Sequence, residues 1–170
     1  LGCQFVKQET DIVDLGCSRD GAIAPFITKF GAVNRYVLCE VSEPMRQATI
    51  DRFSGLIDTG LMRVLDTDLR KSYQAVKSTL TLCILTLQFT PIEYRLQIMQ
   101  RIHDSLEPGG ALLLVEKIMG SSSSLDSLMV ETYYDMKREA GYTQDDISRK
   151  RLSLEGVLVP LTAKWNEQLL

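Results

Sequence analysis

Small and acidic residues follow the first apolar run of the chain, in the stretch VDLGCSRDGA at 13–22. Gly16, Cys17 and Ser18 make a turn of small residues, which lets backbone N–H groups approach a ligand closely. Glu40 lies 24 residues after Gly16, at the end of the next apolar run. A carboxylate at that position can accept both hydroxyls of a ribose. A tight strand-to-helix connection would also use such a glycine, but the added acid favours a ligand that contains adenosine.

Asp14 and Ser18 help to distinguish two such ligands, a nicotinamide dinucleotide and S-adenosylmethionine. Asp14 lies two residues before Gly16 and can help to hold an ammonium group, whereas nicotinamide sites usually have an apolar residue there. Ser18 replaces the middle glycine of the dinucleotide fingerprint and leaves less room for a pyrophosphate, which S-adenosylmethionine lacks. Asp68 suits the exocyclic amine of adenine, although a helix cap would use the same residue. Together these residues favour S-adenosylmethionine.

Alternating strand and helix patterns between residues 11 and 117 must position these side chains. Strands are predicted at 11–16, 35–40, 61–65, 79–87 and 111–115, with helices at 20–30, 42–53 and 91–106. This alternation predicts an α/β fold with a doubly wound, mostly parallel sheet, in which 79–87 is central and buried on both faces. Ligands of such sheets bind beyond the carboxyl ends of the strands, so we expect the predicted site residues at that edge.

Length and composition narrow the class of protein. At 170 residues we expect a single domain, with an α/β core at 1–117 and a helical substrate-side segment at 124–170. The net charge of −3 argues against a general nucleic-acid binder. Four scattered cysteines predict reduced thiols in a cytoplasmic protein, and no apolar run is long enough for a membrane span. The chain begins at Leu1, and we expect it to be a piece of a longer protein.

The last third of the chain is predicted to form helices at 125–140 and 144–158 and a third from 162, as cover for the sheet. Its basic stretches MKRE (136–139) and SRKR (148–151) are interpreted as a solvated helix face, with a phosphate-contacting patch for RNA as the alternative. His103 is expected to be structural or on the surface, and the sequence predicts no metal site.

Four stretches together resemble one family. They are VDLGCS (13–18), TLQF (86–89), LEPGGALLLVEK (106–117) and MKREAGYTQDDISRKRLSLEGV (136–157). The family is that of the bacterial carboxy-S-adenosyl-L-methionine synthases of tRNA wobble-uridine modification, which are transferases. The resemblance implies the Rossmann-like class I methyltransferase fold, here expected to lack the N-terminal helix and the last strands.

The resemblance also implies roles for particular residues. The cofactor-binding positions that it gives are Gly16, Cys17, Ser18, Glu40, Val41, Asp68, Leu69 and Ile84. Ile84 replaces an asparagine of the family. Leu169 falls where the family has a late arginine that holds the extra carboxylate of its product, and neither Leu169 nor Gln168 carries a positive charge. The turn is also one residue longer than the family's, at Arg19 and Asp20.

From these residues we favour an S-adenosylmethionine-dependent methyltransferase of unknown acceptor, which works by positioning because the sulfonium is already an activated donor. Gln88, Leu169 and the helices after residue 124 are expected on the substrate side. One alternative is a carboxy-S-adenosyl-L-methionine synthase with prephenate as carboxyl source, and another is a non-catalytic binding module. The expected ligands are S-adenosylmethionine, S-adenosylhomocysteine or carboxy-S-adenosylmethionine. The acceptor is a small molecule or tRNA, and a homodimer is left open.

Overall fold

Five parallel strands form the main sheet in the computed structural model, which describes residues 1–71 and 76–170. The strands are β1 (Asp11–Leu15), β2 (Arg35–Glu40), β3 (Met62–Asp66), β4 (Ser78–Ile84) and β5 (Leu106–Val115). Their order across the sheet is β3-β2-β1-β4-β5, and every pair is parallel. The chain therefore runs outward in both directions from β1, which confirms the predicted doubly wound sheet and places its switch point between β1 and β4.

Helices cover both faces of this sheet. They are α1 (Ala24–Phe30), α2 (Glu43–Arg52), α3 (Ser54–Asp58), α4 (Ile92–Ser105), α5 (Ser123–Glu139), α6 (Gln144–Leu154) and α7 (Ala163–Leu169). Alternate residues of β1 point to opposite faces. Val13 therefore packs in one core cluster with Ile98 of α4, whereas Ile12 packs in the other with Phe26 of α1. Both faces of β1 are buried for this reason, and the sequence of the strand is apolar apart from its two acids.

Several predicted boundaries differ from the structure because of local turns. β4 ends at Ile84 and not at residue 87, since Leu85 has a φ of +55° and its N–H donates to the carbonyl of Val115. β5 starts at Leu106, and the EPGG stretch forms a bulge within it. α1 starts at Ala24 and not at residue 20, because the preceding turn is longer than predicted.

A second sheet of two residues per strand corrects the prediction that the last third is entirely helical. β6 (Ile118–Met119) pairs in parallel with β7 (Leu161–Thr162), so α5 and α6 form a hairpin between two paired segments. Strands of this length are shorter than a periodic pattern can reveal. None of the helices in the described ranges has the length and apolarity that a membrane crossing requires.

A candidate ligand-binding cleft at the carboxyl ends of the strands

A cleft of about 1840 Å³ lies between the carboxyl ends of the strands and the hairpin of α5 and α6. Pockets for one small molecule commonly measure about 300–1000 Å³, so this cleft has room for two ligands. Eight residues predicted for the site line it: Gly16, Ser18, Glu40, Val41, Asp68, Leu69, Ile84 and Gln88. The parallel sheet thus brings together residues from the ends of β1, β2, β3 and β4.

Gly16 is the point where three strand ends meet. It has a φ of +73°, and its N–H donates to the carbonyl of Cys39 in β2 at 2.8 Å. A Cβ at Gly16 would lie 2.5 Å from the side chain of Thr86, whose hydroxyl donates to the carbonyl of Leu15 at 2.8 Å. Glycine is therefore required both by the backbone angle and by the close approach of Thr86.

Gly16→Ala is expected to lower the free energy of unfolding by about 1–3 kcal/mol, because the added Cβ meets Thr86 and the backbone angle becomes strained. Urea denaturation would measure the change. Gly21→Ala is the matched control in the same turn, since a Cβ there meets nothing within 4 Å. Equal losses in the two variants would show that Thr86 does not constrain this turn.

The turn after β1 folds inward at Asp20. Ser18 and Asp20 have φ values of +48° and +60°, and the side chain of Asp20 is buried. Its carboxylate accepts the hydroxyl of Thr49 in α2 at 2.8 Å, and Arg52 lies 3.8 Å away. The turn is therefore anchored to α2 by a contact that the sequence did not reveal.

Glu40 joins the turns that follow β1 and β2. One carboxylate oxygen accepts the N–H of Ser18 at 3.0 Å, and the other accepts the N–H of Ser42 at 2.9 Å. Ser42 precedes α2 as predicted, but its side chain makes no cap hydrogen bond. Each carboxylate oxygen can accept a further bond, so Glu40 retains the capacity to bind two hydroxyl groups of a ligand.

Asp14 lies directly behind the turn and is 1 % exposed. One of its carboxylate oxygens has no hydrogen-bond partner among the described residues. Burial, together with the charges of Asp20 and Glu40, raises the pKa of Asp14 to about 7. Neither Asp14 nor the buried Cys17 lines the cleft, so any effect of Asp14 on a ligand would act through its charge.

Asp68 has a structural role besides the predicted contact with adenine. Its carboxylate accepts the backbone N–H of Arg70 at 3.0 Å and forms two further bonds with the guanidinium of the same residue. This pairing holds the pKa of Asp68 at about 2. The residue is therefore ionised and faces the cleft within a local turn.

Gln88 contributes to the cleft wall, but both ends of its amide bind backbone groups. Its carbonyl oxygen accepts the N–H of Lys117 at 2.9 Å, and its amide nitrogen donates to the carbonyl of Leu85 at 3.4 Å. Glu116 accepts the N–H of Leu87 at 2.9 Å in the same region. These two side chains connect the end of β4 to the end of β5, so Gln88 stabilises this wall of the cleft.

Arg95 of α4 stabilises the same wall from the interior of the protein. It is 1 % exposed, and its guanidinium donates to the carbonyls of Thr90 at 2.9 Å, Val159 at 2.7 Å and Gln88 at 3.4 Å. The sequence reasoning missed Arg95. The available signal was an arginine on the apolar face of a helix, three and four residues before Ile98 and Met99.

Leu169 lies outside the cleft lining. It is partly buried and packs against the core cluster that contains Val13 and Ile98. Ile84 lines the cleft at the end of β4. His103 is exposed on α4, as expected.

The hairpin of α5 and α6 supplies the opposite wall of the cleft. Its lining residues are Asp126, Met129, Val130, Tyr133, Tyr134, Lys137, Tyr142, Asp146, Ile147, Lys150, Arg151, Leu154 and Glu155. The cationic residues of the basic stretches at 136–139 and 148–151 therefore fall into two groups. Arg138 and Arg149 pair with neighbouring acids, whereas Lys137, Lys150 and Arg151 line the cleft.

Curated relatives share the name carboxy-S-adenosyl-L-methionine synthase. The protein from Wolinella succinogenes is 37 % identical over 163 residues, which cover 94 % of this chain and 65 % of the relative. Those from Methylococcus capsulatus and Trichlorobacter lovleyi are 35 % and 33 % identical, with 98 % and 100 % of this chain and 69 % and 70 % of the relatives covered. The chain thus spans about two thirds of the length of these relatives. No family model matches it.

Solved structures with the same fold are methyltransferases by name. A protein from Bacillus halodurans assigned as a methyltransferase has a TM-score of 0.64 at 13 % identity, with 96 % of this chain and 62 % of that protein covered. Mitomycin 7-O-methyltransferase has a TM-score of 0.56 at 19 % identity, with coverages of 72 % and 35 %. At such identities the likeness shows the fold alone, and that fold is the predicted Rossmann-like one.

Proposed function

The chain belongs to the carboxy-S-adenosyl-L-methionine synthase family, and on that premise we propose that its cleft binds S-adenosylmethionine and attaches a carboxyl group to the methyl carbon. The observation that carries the proposal is the arrangement at the switch point, where the Gly16 turn, the Glu40 carboxylate and the buried Asp14 lie together. The family resemblance supplies prephenate as the carboxyl source. Prephenate would lose its ring carboxyl as CO2 and its ring hydroxyl as hydroxide to leave phenylpyruvate, while the methyl carbon loses one proton and bonds the CO2, and the proton and the hydroxide leave as water. The size of the cleft supports simultaneous binding of donor and second substrate.

Each part of the donor would have a partner among the strand-end residues. The backbone of the turn at Gly16, Cys17 and Ser18 packs against the methionine part, with its N–H groups already bonded to Cys39 and Glu40, and Glu40 accepts the ribose hydroxyls. Asp68 accepts the exocyclic amine of adenine. Asp14 compensates the positive charge of the ligand from behind the turn, because a buried carboxylate without a full set of partners is stabilised by a nearby cation.

Glu40→Gln is expected to weaken the binding of S-adenosylhomocysteine at least about tenfold, since the amide loses one acceptor that the ribose needs. Calorimetric titration measures the change. Glu43→Gln is the matched control, because Glu43 is exposed on α2 only three residues away. If the unaltered protein bound neither S-adenosylmethionine nor S-adenosylhomocysteine, the proposed function would be wrong.

Mass spectrometry distinguishes this reaction from the second candidate, methyl transfer to an unknown acceptor. The second candidate is favoured by Leu169, which leaves the family's arginine position without a positive charge. A copurifying ligand heavier than S-adenosylmethionine by one carboxylate supports the synthase. Turnover of a methyl acceptor, in a screen of small molecules and tRNA with labelled donor, supports the methyltransferase.

A reducing, cytoplasmic setting and a connection with tRNA modification are parts of the same proposal. The four cysteines are free thiols, and three of them are buried, which supports the former. The family resemblance supports the latter, with tRNA as the destination of the transferred group.

A further inference from the structure

The turn between α5 and α6 places one lysine between two aromatic rings. Gly141 has a φ of +89° and its N–H donates to the carbonyl of Arg138, while the N–H of Tyr142 donates to the carbonyl of Lys137 at 3.1 Å. This pair of bonds is a Schellman motif, which folds the residue after the glycine back over the last helical turn. The ring of Tyr142 consequently lies 4.2 Å from Lys137 Nζ, and the ring of Tyr133 lies 5.4 Å from it.

The start of α6 is also fixed by local hydrogen bonds. Thr143 and Asp146 form a capping box at the beginning of α6. The two motifs follow each other without a spacer, so the direction in which α6 leaves the turn is restrained. Lys150 and Arg151 of α6 therefore face the same cleft as Lys137.

Lys137 is half-buried and makes no ion pair with any residue in the described ranges. Two aromatic faces attract its ammonium group and displace part of its hydration, which strengthens any later pairing with an anion. The acids of the cleft are mostly engaged elsewhere. Glu40, Asp68, Asp126 and Asp146 all accept bonds from their own turns or neighbours, whereas Glu155 is exposed.

We propose that Lys137, held between Tyr133 and Tyr142 and supported by Lys150 and Arg151, pairs with the carboxylate that the second ligand brings into the cleft. The proposal rests on the proposed function, because it assumes that the strand-end side of the cleft holds the donor. A carboxylate in a partly enclosed site needs a cationic partner. Leu169 packs against the core and supplies none. On the strand-end side of the cleft Arg70 is paired with Asp68 and Lys117 is exposed, whereas Lys137 on the opposite wall is half-buried, and this favours Lys137 as the cation.

Two ligands that differ by one carboxylate test this inference. The protein and its Lys137→Met variant are titrated with S-adenosylmethionine, carboxy-S-adenosylmethionine and S-adenosylhomocysteine. We expect the unaltered protein to prefer the carboxylated ligand about tenfold or more, as a charge-assisted bond implies, and this preference to weaken with salt. The variant should lose the preference and keep its affinity for S-adenosylhomocysteine within about twofold, since a charge-assisted bond to the extra carboxylate is absent in that ligand.

Further variants separate charge from packing. Lys137→Arg should retain most of the preference, whereas Tyr142→Leu should reduce it because the ammonium is no longer confined. Arg138→Met is the matched control, since Arg138 pairs with Asp135 and does not line the cleft. A full preference in Lys137→Met, or equal affinities of the unaltered protein for both ligands, would overturn the inference while the donor site stands. Failure of all three ligands to bind would overturn the proposed function and this inference with it.

Discussion

Asp14→Asn is expected to stabilise the ligand-free protein by up to about 4 kcal/mol at pH 8. Burial and the charges of Asp20 and Glu40 raise the pKa of Asp14 from 3.8 to about 7 in the folded protein. A pKa difference of about three between the folded and unfolded states corresponds to roughly 4 kcal/mol. Because the variant has no charge at this position, it avoids the cost of ionising a buried acid.

The sign of the pH dependence follows from proton binding. Between about pH 4 and pH 7 the folded state retains the proton of Asp14 while the unfolded state has released it. The contribution of Asp14 to stability therefore falls as the pH rises through this window and is constant above it. The difference between the Asp14→Asn variant and the unaltered protein should be near zero at pH 4 and largest at pH 8.

Urea denaturation at several values of pH measures this difference. Asp58→Asn provides the control, because Asp58 is exposed at the end of α3 and the substitution removes the same negative charge. A constant difference between Asp14→Asn and the unaltered protein from pH 4 to pH 8 would contradict the prediction.

The same substitution should weaken the binding of the donor, S-adenosylmethionine. A cationic ligand favours ionised Asp14, so its binding releases a proton below about pH 7 and its affinity rises with pH up to that value. Asp14→Asn should bind S-adenosylmethionine less tightly and without this pH dependence. Ionised Asp14 thus lowers the stability of the ligand-free protein and raises its affinity for the cationic donor. This coupling is a reason for an acid in the interior of a strand.

Arg95→Met is expected to lower the free energy of unfolding by about 3 kcal/mol or more. Methionine has similar length but donates no hydrogen bond, so the carbonyls of Thr90 and Val159 lose the guanidinium that satisfies them. Removal of one partner from a buried polar network leaves the others desolvated, and this is the most costly way to alter such a network.

The loss of stability in Arg95→Met should also be concentrated around Val159. Val159 follows α6, and its N–H donates to the carbonyl of Gln88 beside the Arg95 bonds. Hydrogen exchange of the Val159 amide should therefore accelerate in Arg95→Met more than exchange in β1. Arg101→Met is the control on the same helix, where a half-buried arginine is expected to contribute less than about 1 kcal/mol. Similar losses in both variants would show that the position of Arg95 beneath the cleft has no special importance.

Much of the donor side could be predicted from the sequence, because its parts are encoded locally. A strand followed by Gly16, a strand that ends in Glu40 and an acid after the third strand are each visible as short patterns. A parallel sheet then necessarily brings the carboxyl ends of its strands to one edge. The Schellman motif and the capping box at 136–146 are local in the same sense, since all their hydrogen bonds join residues within five positions of each other.

Only the tertiary structure decided which of these residues are free to meet a ligand. Asp14 is a strand residue in the sequence, and its unpartnered oxygen becomes evident only when Asp20 and Glu40 pack around it. Gln88 was expected to face a substrate, yet its amide binds Lys117 and Leu85 of the backbone. Arg95 and Val159 are 64 residues apart, and their bond depends on how α6 returns to the sheet. Short-range sequence patterns specify the helices and strands and their ends. Burial and long-range pairing arise only when these elements pack, and they determine which charges and which free hydrogen-bonding groups the cleft presents.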